Sequence, residues 1–253
     1  MGLEGATVAI TGASRGIGAA IAVTLAQHGV DLALIDREAA ALEQTRKDVE
    51  TRGVRAQAYV TDVSDEHAVC ATFARIATDF GRLDGSIANA GILRDGLLVK
   101  AKDGQIQGKL SLSDWRAVID VNLTGVFLCG REAAEQMIRT GSRGCLINIS
   151  SISRAGNFGQ SNYSAAKAGV AALAVVWAKE LARHGIRANA IAPGFVQTDI
   201  LAAMKPEALA KMTAAIPAGR LGRADEIAHT VVYLLENEYV NGRVIEIDGG
   251  QRI

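Results

Sequence analysis

Short apolar runs alternate along the chain with longer stretches in which apolar residues recur every three or four positions. Several of these runs are almost free of charged residues, which is typical of strands that helices cover on both faces of a sheet. The alternation therefore predicts an α/β fold with a parallel, doubly wound sheet. The predicted strands are Thr7–Thr11, Val30–Asp36, Arg55–Thr61, Gly85–Asn89, Cys145–Ser150, Arg187–Ile191 and Val244–Ile247.

The stretches between these strands predict helices. The first helix presents Ile17, Ile21 and Leu25 on one face and stops at Gly29, a residue type that often ends helices. A later helix is expected to begin at Ser161, whose hydroxyl can cap a first turn. No linker rich in Pro or Ser and no internal repeat divides the chain, so we expect residues 1–253 to form a single domain.

One polar segment interrupts the alternation. Residues 100–109 contain three lysines, and Asp103-Gly104 within them is a sequence typical of a tight hairpin turn. We expect residues 100–109 to form a polar surface insertion between the fourth strand and the helix that follows it.

Charge and hydropathy exclude two kinds of partner. The 27 Lys and Arg residues balance 27 Asp and Glu residues, so no basic face for nucleic acid is implied. No apolar run is long enough to span a bilayer, and the first residues lack the basic and apolar regions of a signal peptide. We therefore expect neither a nucleic acid nor a membrane as a partner.

The cysteines and histidines suggest neither disulfides nor a metal. Cys70, Cys129 and Cys145 are odd in number and scattered, which fits neither a disulfide framework nor metal-ligand spacing. The four histidines also lie far apart in the sequence, so we expect no metal site. A reducing cytosol is the simplest location for such a chain, and we expect it to be cytoplasmic.

A glycine-rich turn joins the first strand to the first helix. Gly12, Gly16 and Gly18 are spaced Gly-x-x-x-Gly-x-Gly, which allows a tight turn and a close approach of the backbone to a pyrophosphate. The free N–H groups at the start of the helix can then bind the phosphates. The turn predicts a dinucleotide site and a Rossmann-type fold.

Asp36 stands at the end of the second predicted strand, about twenty residues beyond this turn. A carboxylate in that place can accept hydrogen bonds from the adenosine ribose and repels a 2′-phosphate, which favours NAD over NADP. Arg15 and Arg37 leave the choice open, because either can pair with a phosphate and Arg37 can also neutralise Asp36.

Tyr163 and Lys167 lie four residues apart in a predicted helix and so share one face. An ammonium near a phenol stabilises the phenolate and lowers its pKa, which suits the Tyr for proton transfer to an alkoxide or from an alcohol. Ser150 and Ser151 end the apolar strand that precedes this helix, at the sheet edge where ligands bind. A serine hydroxyl there can hydrogen-bond the reacting oxygen.

The glycine turn, the strand-end serine and Tyr-x-x-x-Lys follow one another in an order that resembles the short-chain dehydrogenase/reductase family over nearly the whole chain. The resemblance implies a parallel seven-stranded sheet with helices on both faces. It implies a catalytic set of Asn122, Ser151, Tyr163 and Lys167. It further implies these cofactor-binding residues: Gly12, Ser14, Arg15, Gly16, Ile17, Gly18, Asp36, Asp62, Val63, Asn89, Ala90, Gly91, Tyr163, Lys167, Pro193, Gly194, Val196 and Thr198.

The choice between the two serines stays open. Counting back thirteen residues from Tyr163, as the family usually has it, gives Ser150, whereas matching the strand pattern Ile-Asn-Ile-Ser-Ser gives Ser151. The two side chains should point in opposite directions because they alternate along a strand. We favour Ser151, because a loop absorbs a deletion more easily than a buried strand.

The resemblance implies a hydride transfer between a nicotinamide cofactor and a ketone or secondary alcohol, in a homotetramer. The segment Gly156–Tyr163 is similar to that of 3-oxoacyl thioester reductases, and residues 198–216 are expected to form a substrate lid. Other secondary alcohols remain open as substrates, among them polyols, sugars and cyclic or steroid-like alcohols. A non-catalytic NAD sensor is a further alternative, and Ser164 with Lys167 also matches the Ser-x-x-Lys of penicillin-binding hydrolases.

Overall fold

The computed structural model describes residues 1–197 and 206–252. Its strands are β1 (Thr7–Thr11), β2 (Asp31–Asp36), β3 (Ala56–Val60), β4 (Gly85–Ala88), β5 (Val99–Lys102), β6 (Gln105–Lys109), β7 (Cys145–Ile149), β8 (Arg187–Pro193) and β9 (Val244–Ile247). Its helices are α1 (Gly16–Gln27), α2 (Ala39–Glu50), α3 (Glu66–Phe80), α4 (Leu112–Ile119), α5 (Gly125–Thr140), α6 (Ser161–Glu180), α7 (Pro206–Ala214) and α8 (Ala224–Glu236). A π-helical turn (Asp120–Thr124) separates α4 from α5, and 3₁₀ turns lie at Ile152–Ala155 and Ala182–His184.

Seven strands form one parallel sheet in the order β3-β2-β1-β4-β7-β8-β9, which confirms the predicted fold class. The chain runs outward from β1 to β3 and then returns to β4 on the other side of β1. The strand order therefore reverses between β1 and β4, the point at which open α/β sheets bind ligands, beside the carboxyl ends of the strands.

Helices cover both faces of the sheet, as predicted. On one face Leu25 of α1 and Leu234 of α8 belong to a single buried cluster with the strand side chains. On the other face Phe73 of α3, Met137 of α5 and Val170 of α6 form a second cluster. These two apolar layers hold the carboxyl edge of the sheet in place, and with it the residues that follow each strand.

The polar insertion folds as an antiparallel hairpin of β5 and β6. Asp103 and Gly104 form its turn with φ angles of 51° and 76°, the left-handed pair that a two-residue hairpin turn requires. The backbone N–H of Leu110 donates to the carbonyl of Leu97 over 2.9 Å and closes the base of the hairpin. The hairpin thus projects from the segment between β4 and α4.

The described residues show neither a membrane-spanning helix nor a group of metal ligands. Within residues 1–197 and 206–252, no helix has the length and the apolar composition that crossing a membrane requires. The same residues contain no group of three or more His, Cys, Asp or Glu side chains placed to hold a metal ion.

Candidate active site

The turn between β1 and α1 is built around glycine. Gly12 and Gly16 have φ angles of 66° and 56°, which side chains disfavour. A Cβ atom on Gly18 would lie 2.0 Å from the carbonyl oxygen of Gly12, so any other residue would force the turn apart. Arg15 precedes α1 without capping it through its side chain, which leaves the first amides of the helix available to an anion.

Asn89 fastens this turn to β4. Its amide nitrogen donates to the carbonyls of Thr11 (3.0 Å) and Gly12 (3.1 Å). The hydroxyl oxygen of Thr11 accepts hydrogen bonds in return from the backbone N–H groups of Asn89 and Ala90. The strand ends of β1 and β4 are therefore held together at the switch point of the sheet.

Asp36 ends β2 beside the same turn. Its carboxylate accepts hydrogen bonds from three backbone N–H groups, those of Ser14 (3.1 Å), Arg37 (2.7 Å) and Glu38 (3.2 Å). These bonds fix the carboxylate at the carboxyl edge of the sheet, next to the glycine turn.

Arg37 turns its charge away from Asp36. Its guanidinium pairs with the carboxylate of Asp62 over 3.2 Å. Burial raises the pKa of Asp62, but hydrogen bonds from Ser64 and from Arg37 outweigh it and lower the pKa overall. Arg37 therefore pairs with Asp62 and does not neutralise Asp36.

Asn122 lies in the π-helical turn and is fully buried. Its side chain exchanges two hydrogen bonds with the backbone of Ile92, accepting at 2.8 Å and donating at 2.9 Å. The amide thus ties the helical layer to the segment that follows β4, of which Gly91 forms part. A Cβ atom on Gly91 would contact the Asn122 side chain at 3.4 Å.

Tyr163 and Lys167 lie on one face of α6, next to the end of β7. The Lys167 nitrogen lies 5.7 Å from the centre of the Tyr163 ring and donates to the carbonyl of Ile149 over 2.7 Å. Burial lowers the pKa of Lys167 to about 8. Burial raises the pKa of Tyr163, and a hydrogen bond with Ser151 lowers it in part.

The sequence-based expectation that Lys167 lowers the pKa of Tyr163 therefore differs from what the structure shows. Desolvation of the hydroxyl outweighs the other influences on Tyr163, and the group that lowers its pKa is the Ser151 hydroxyl. Lys167 does not lower the pKa of Tyr163 because its amine donates its hydrogen bond to a backbone carbonyl of β7 and not to the phenol.

The two serines have different partners on α6. The Ser150 hydroxyl is buried and donates to the backbone carbonyl of Lys167 over 2.7 Å, which joins β7 to α6. The Ser151 hydroxyl accepts a hydrogen bond from the N–H of Ser153 over 3.1 Å and faces Tyr163. Ser150 thus has a packing position and Ser151 the position beside the phenol.

The remaining candidate residues lie in the loops at the same edge of the sheet. Pro193 ends β8, and the N–H of Gly194 donates to the carbonyl of Ile247 over 2.9 Å. Val196 is buried and pairs with Gly222 in a single β-bridge. Val63 packs so closely on Gly125 that a Cβ atom there would come within 2.9 Å of it. Since the strands are parallel, their carboxyl ends bring these residues to one side of the sheet.

The structure describes only part of the expected lid, residues 198–216. Thr198 lies outside the described residues, as do the other positions up to 205. The rest of the expected lid, residues 206–216, contains α7 and the buried side chain of Ile216.

Sequence reasoning missed Asn162, which adjoins Tyr163. Asn162 is fully buried, and its amide nitrogen donates to the carbonyls of Arg94 (2.9 Å) and Asp114 (3.3 Å). Its side-chain oxygen accepts from the N–H of Tyr163 over 2.8 Å. It thus anchors the start of α6 to the segment after β4 and to α4. The sequence shows only a polar residue in the first turn of the helix, which does not indicate that it is buried.

Comparison with known proteins covers nearly the whole chain. Residues 12–252 match the family model described as enoyl-(acyl carrier protein) reductase. The chain is 39% identical to the 3-oxoacyl-(acyl-carrier-protein) reductase of Thermotoga maritima, over 99% of both chains. It is 38% identical to the (3R)-3-hydroxyacyl-CoA dehydrogenase of Rattus norvegicus, over 98% of this chain and 96% of that one. The crystal structure of levodione reductase superposes with a TM-score of 0.88 at 36% identity, over 98% and 97% of the two chains.

Proposed function

The chain belongs to the short-chain dehydrogenase/reductase family, and from that premise we propose that it interconverts 3-oxoacyl and 3-hydroxyacyl thioesters with NAD(H). The observation that carries the proposal is the meeting of Ser151, Tyr163 and Lys167 at the sheet edge that also bears the glycine turn. Relatives named for 3-oxoacyl and 3-hydroxyacyl substrates support the thioester.

The described residues fit a dinucleotide cofactor. A Cβ atom at Gly12 would lie 2.8 Å from the Asn89 side chain, so only glycine lets the turn pack this closely against the residues after β4. Glycine-rich turns of this kind accommodate the pyrophosphate of a dinucleotide. The first amides of α1 would bind the phosphates, and Asp36 the adenosine ribose. When bound there, the nicotinamide cofactor supplies the hydride for reduction of the ketone and accepts it for oxidation of the alcohol.

Side chains that follow β7 and lie on α6 have separate roles in the transfer of the proton. Tyr163 donates its hydroxyl proton to the carbonyl oxygen of the substrate, and Ser151 donates a hydrogen bond to the same oxygen. The hydrogen bond with Ser151 favours the tyrosinate left behind, and the Lys167 amine, 5.7 Å from the centre of the phenol ring, would hold the nicotinamide ribose. Asn122 holds the loop after β4 against the helical layer and keeps this geometry in place.

Asp36 supports a preference for NAD over NADP. Its carboxylate is fixed by three backbone hydrogen bonds, and a 2′-phosphate beside it would meet a negative charge. Arg37, the neighbouring cation, is engaged by Asp62. Both observations favour the unphosphorylated ribose.

A cyclic ketone is a second candidate substrate, which the likeness to levodione reductase favours. A non-catalytic sensor and a serine hydrolase are disfavoured, because the relatives are dehydrogenases and reductases and the Ser164 hydroxyl accepts a hydrogen bond from the backbone N–H of Asn157. We further propose a homotetramer in the cytoplasm. The exposed apolar side chains Phe127, Ile138 and Val176 on α5 and α6 support the assembly, and three free thiols support the location.

The test is a comparison of NADH and NADPH oxidation across acetoacetyl-CoA, cyclohexane-1,4-dione and simple sugars. We expect the highest kcat/KM with NADH and acetoacetyl-CoA. Higher kcat/KM with the diketone would transfer the assignment to cyclic ketones. Tight NADH binding without turnover on any of these would overturn the enzymatic proposal.

A further inference from the structure

The β5–β6 hairpin is rooted beside the proposed catalytic residues. The N–H of Gly96 donates to the carbonyl of Gly159 over 2.8 Å, and the amide of Gln160 donates to Asp95 over 2.9 Å. Gln160 directly precedes α6 and stands three residues before Tyr163. The negative charge of Asp95 also contributes to raising the pKa of Tyr163, so the two groups are close in space. The hairpin therefore rises from the rim of the substrate crevice.

The strand register puts two of its lysines on one face. Lys100 pairs across the hairpin with Gly108, and Lys102 pairs with Gln105. The residues opposite the lysines are thus a glycine and a neutral amide. Among residues 1–197 and 206–252, no carboxylate forms an ion pair with either lysine. Their charges are available to an anion.

The other face of the hairpin is exposed and carries two apolar side chains beside Lys109, which pairs with Val99. Val99 and Ile106 lie on this face, and Ile106 is 60% exposed. Leu98 at the base is 72% exposed, and Phe158 in the loop bonded to that base is 88% exposed. A lone two-stranded hairpin is marginally stable in water, and exposed apolar groups of this kind commonly mark a binding surface.

We propose that this hairpin binds the coenzyme A moiety of a thioester substrate, with Lys100 and Lys102 on its phosphates and the exposed Leu98 and Phe158 at its base along the pantetheine arm. The inference rests on the proposed thioester function. Coenzyme A carries its phosphates at the end remote from the thioester, so a ligand reacting at Tyr163 has to extend outward past the rim. Strands of four and five residues reach about 15 Å, so Lys102 lies near the tip of the hairpin and Lys100 nearer its base, at two points along the outward path of the ligand.

The size of the hairpin favours coenzyme A over an acyl carrier protein. A specific protein interface buries about 800 Å² on each partner, more than the one lysine face of such short strands offers. Two ammonium groups on one face suffice for a phosphate or a pyrophosphate, to which lysine binds as a point charge.

The experiment compares two acetoacetyl thioesters that share the reacting end. Acetoacetyl-CoA carries the phosphates, and the acetoacetyl thioester of N-acetylcysteamine lacks them. In the double variant Lys100→Gln/Lys102→Gln, we expect the ratio of kcat/KM for the first to kcat/KM for the second to fall roughly tenfold, which corresponds to about 1.4 kcal/mol. The fall should come from a higher KM for acetoacetyl-CoA in the variant. Added salt should make the difference between the wild type and the variant smaller, because it screens the charges of the lysines. Calorimetry should show correspondingly weaker binding of free coenzyme A.

Lys47→Gln is the matched control. Lys47 is exposed in the last turn of α2, which runs back to the amino edge of the sheet, away from the crevice. We expect it to leave the substrate ratio unchanged.

Each of four results would overturn the inference. The first is an equal effect of the double variant on both thioesters, and the second is an equal effect of the control. The third is a loss confined to an acetoacetyl acyl carrier protein, which would assign the hairpin to a protein partner. The fourth is a changed oligomeric state in size-exclusion chromatography, which would assign it to a second copy of the chain. If the wild-type protein reduces neither thioester, the proposed function itself fails and the inference fails with it.

Discussion

The ammonium of Lys167 donates a hydrogen bond to the backbone carbonyl of Ile149 over 2.7 Å, in a place where only 3% of the lysine is exposed. Burial lowers the pKa of this amine to about 8 from its ordinary value of 10.5. The unfolded chain therefore binds the proton more tightly than the folded chain does. Charged Lys167 opposes folding below pH 8, and this penalty disappears as the pH rises toward 10.5.

We predict that Lys167→Met is more stable than the wild type at pH 7, although it is inactive. The pKa shift corresponds to about 3 kcal/mol, and the lost hydrogen bond to Ile149 offsets about half of it, which leaves on the order of 1–2 kcal/mol. Urea unfolding at pH 7 and at pH 10.5 measures both free energies. The advantage of the variant should shrink at the higher pH. An advantage that stays constant with pH would show that burial of the charge is not its cause.

Tyr163→Phe keeps the ring and removes the proposed proton donor. We predict that kcat falls by about 10²–10⁴-fold, the usual contribution of general acid–base catalysis. The dissociation constant for NADH, measured by fluorescence titration, should change little. Turnover near that of the wild type would refute the assignment of Tyr163.

The two serines separate a catalytic role from a packing role. We predict that Ser151→Ala lowers kcat by about 10²-fold, because the reacting oxygen loses a hydrogen bond. Ser150→Ala should retain most of kcat and lose about 1 kcal/mol of stability, because its bond to the Lys167 carbonyl joins β7 to α6. Steady-state kinetics and thermal unfolding of both variants measure the two effects. The reverse pattern would make Ser150 the catalytic serine.

Most of the sheet could be predicted from the sequence, because buried parallel strands leave a strong signal in the chain. Thr7–Thr11 and Val244–Ile247 were predicted with the boundaries that the structure shows. β8 was predicted to end at Ile191 but extends two residues further, to Pro193. The reason is that Ala192 and Pro193 still pair with β9. The pattern of apolar residues indicates which residues are buried, but it does not show at which residue the pairing of a strand ends.

The chemistry of the site was less accessible to sequence reasoning. The spacing of Tyr163 and Lys167 places both on one face of a helix, but it does not show that a carbonyl of β7 engages the amine. The role of Asn162 was likewise invisible, because its partners, Arg94 and Asp114, come from distant segments. Such contacts depend on how helices pack on a sheet, which local patterns do not encode.

Asp36 is the residue on which the cofactor preference depends, and Asp36→Asn removes its charge while keeping one acceptor oxygen. We predict that the ratio of kcat/KM with NADPH to kcat/KM with NADH rises by about tenfold or more, since one repulsive charge near the ribose is removed. Steady-state kinetics with both cofactors measure the ratio. Glu38→Gln serves as the control, because Glu38 is exposed and its charge lies two residues after Asp36 in the sequence. Equal changes in the two variants would mean that general electrostatics, and not the contact of Asp36 with the ribose, sets the preference.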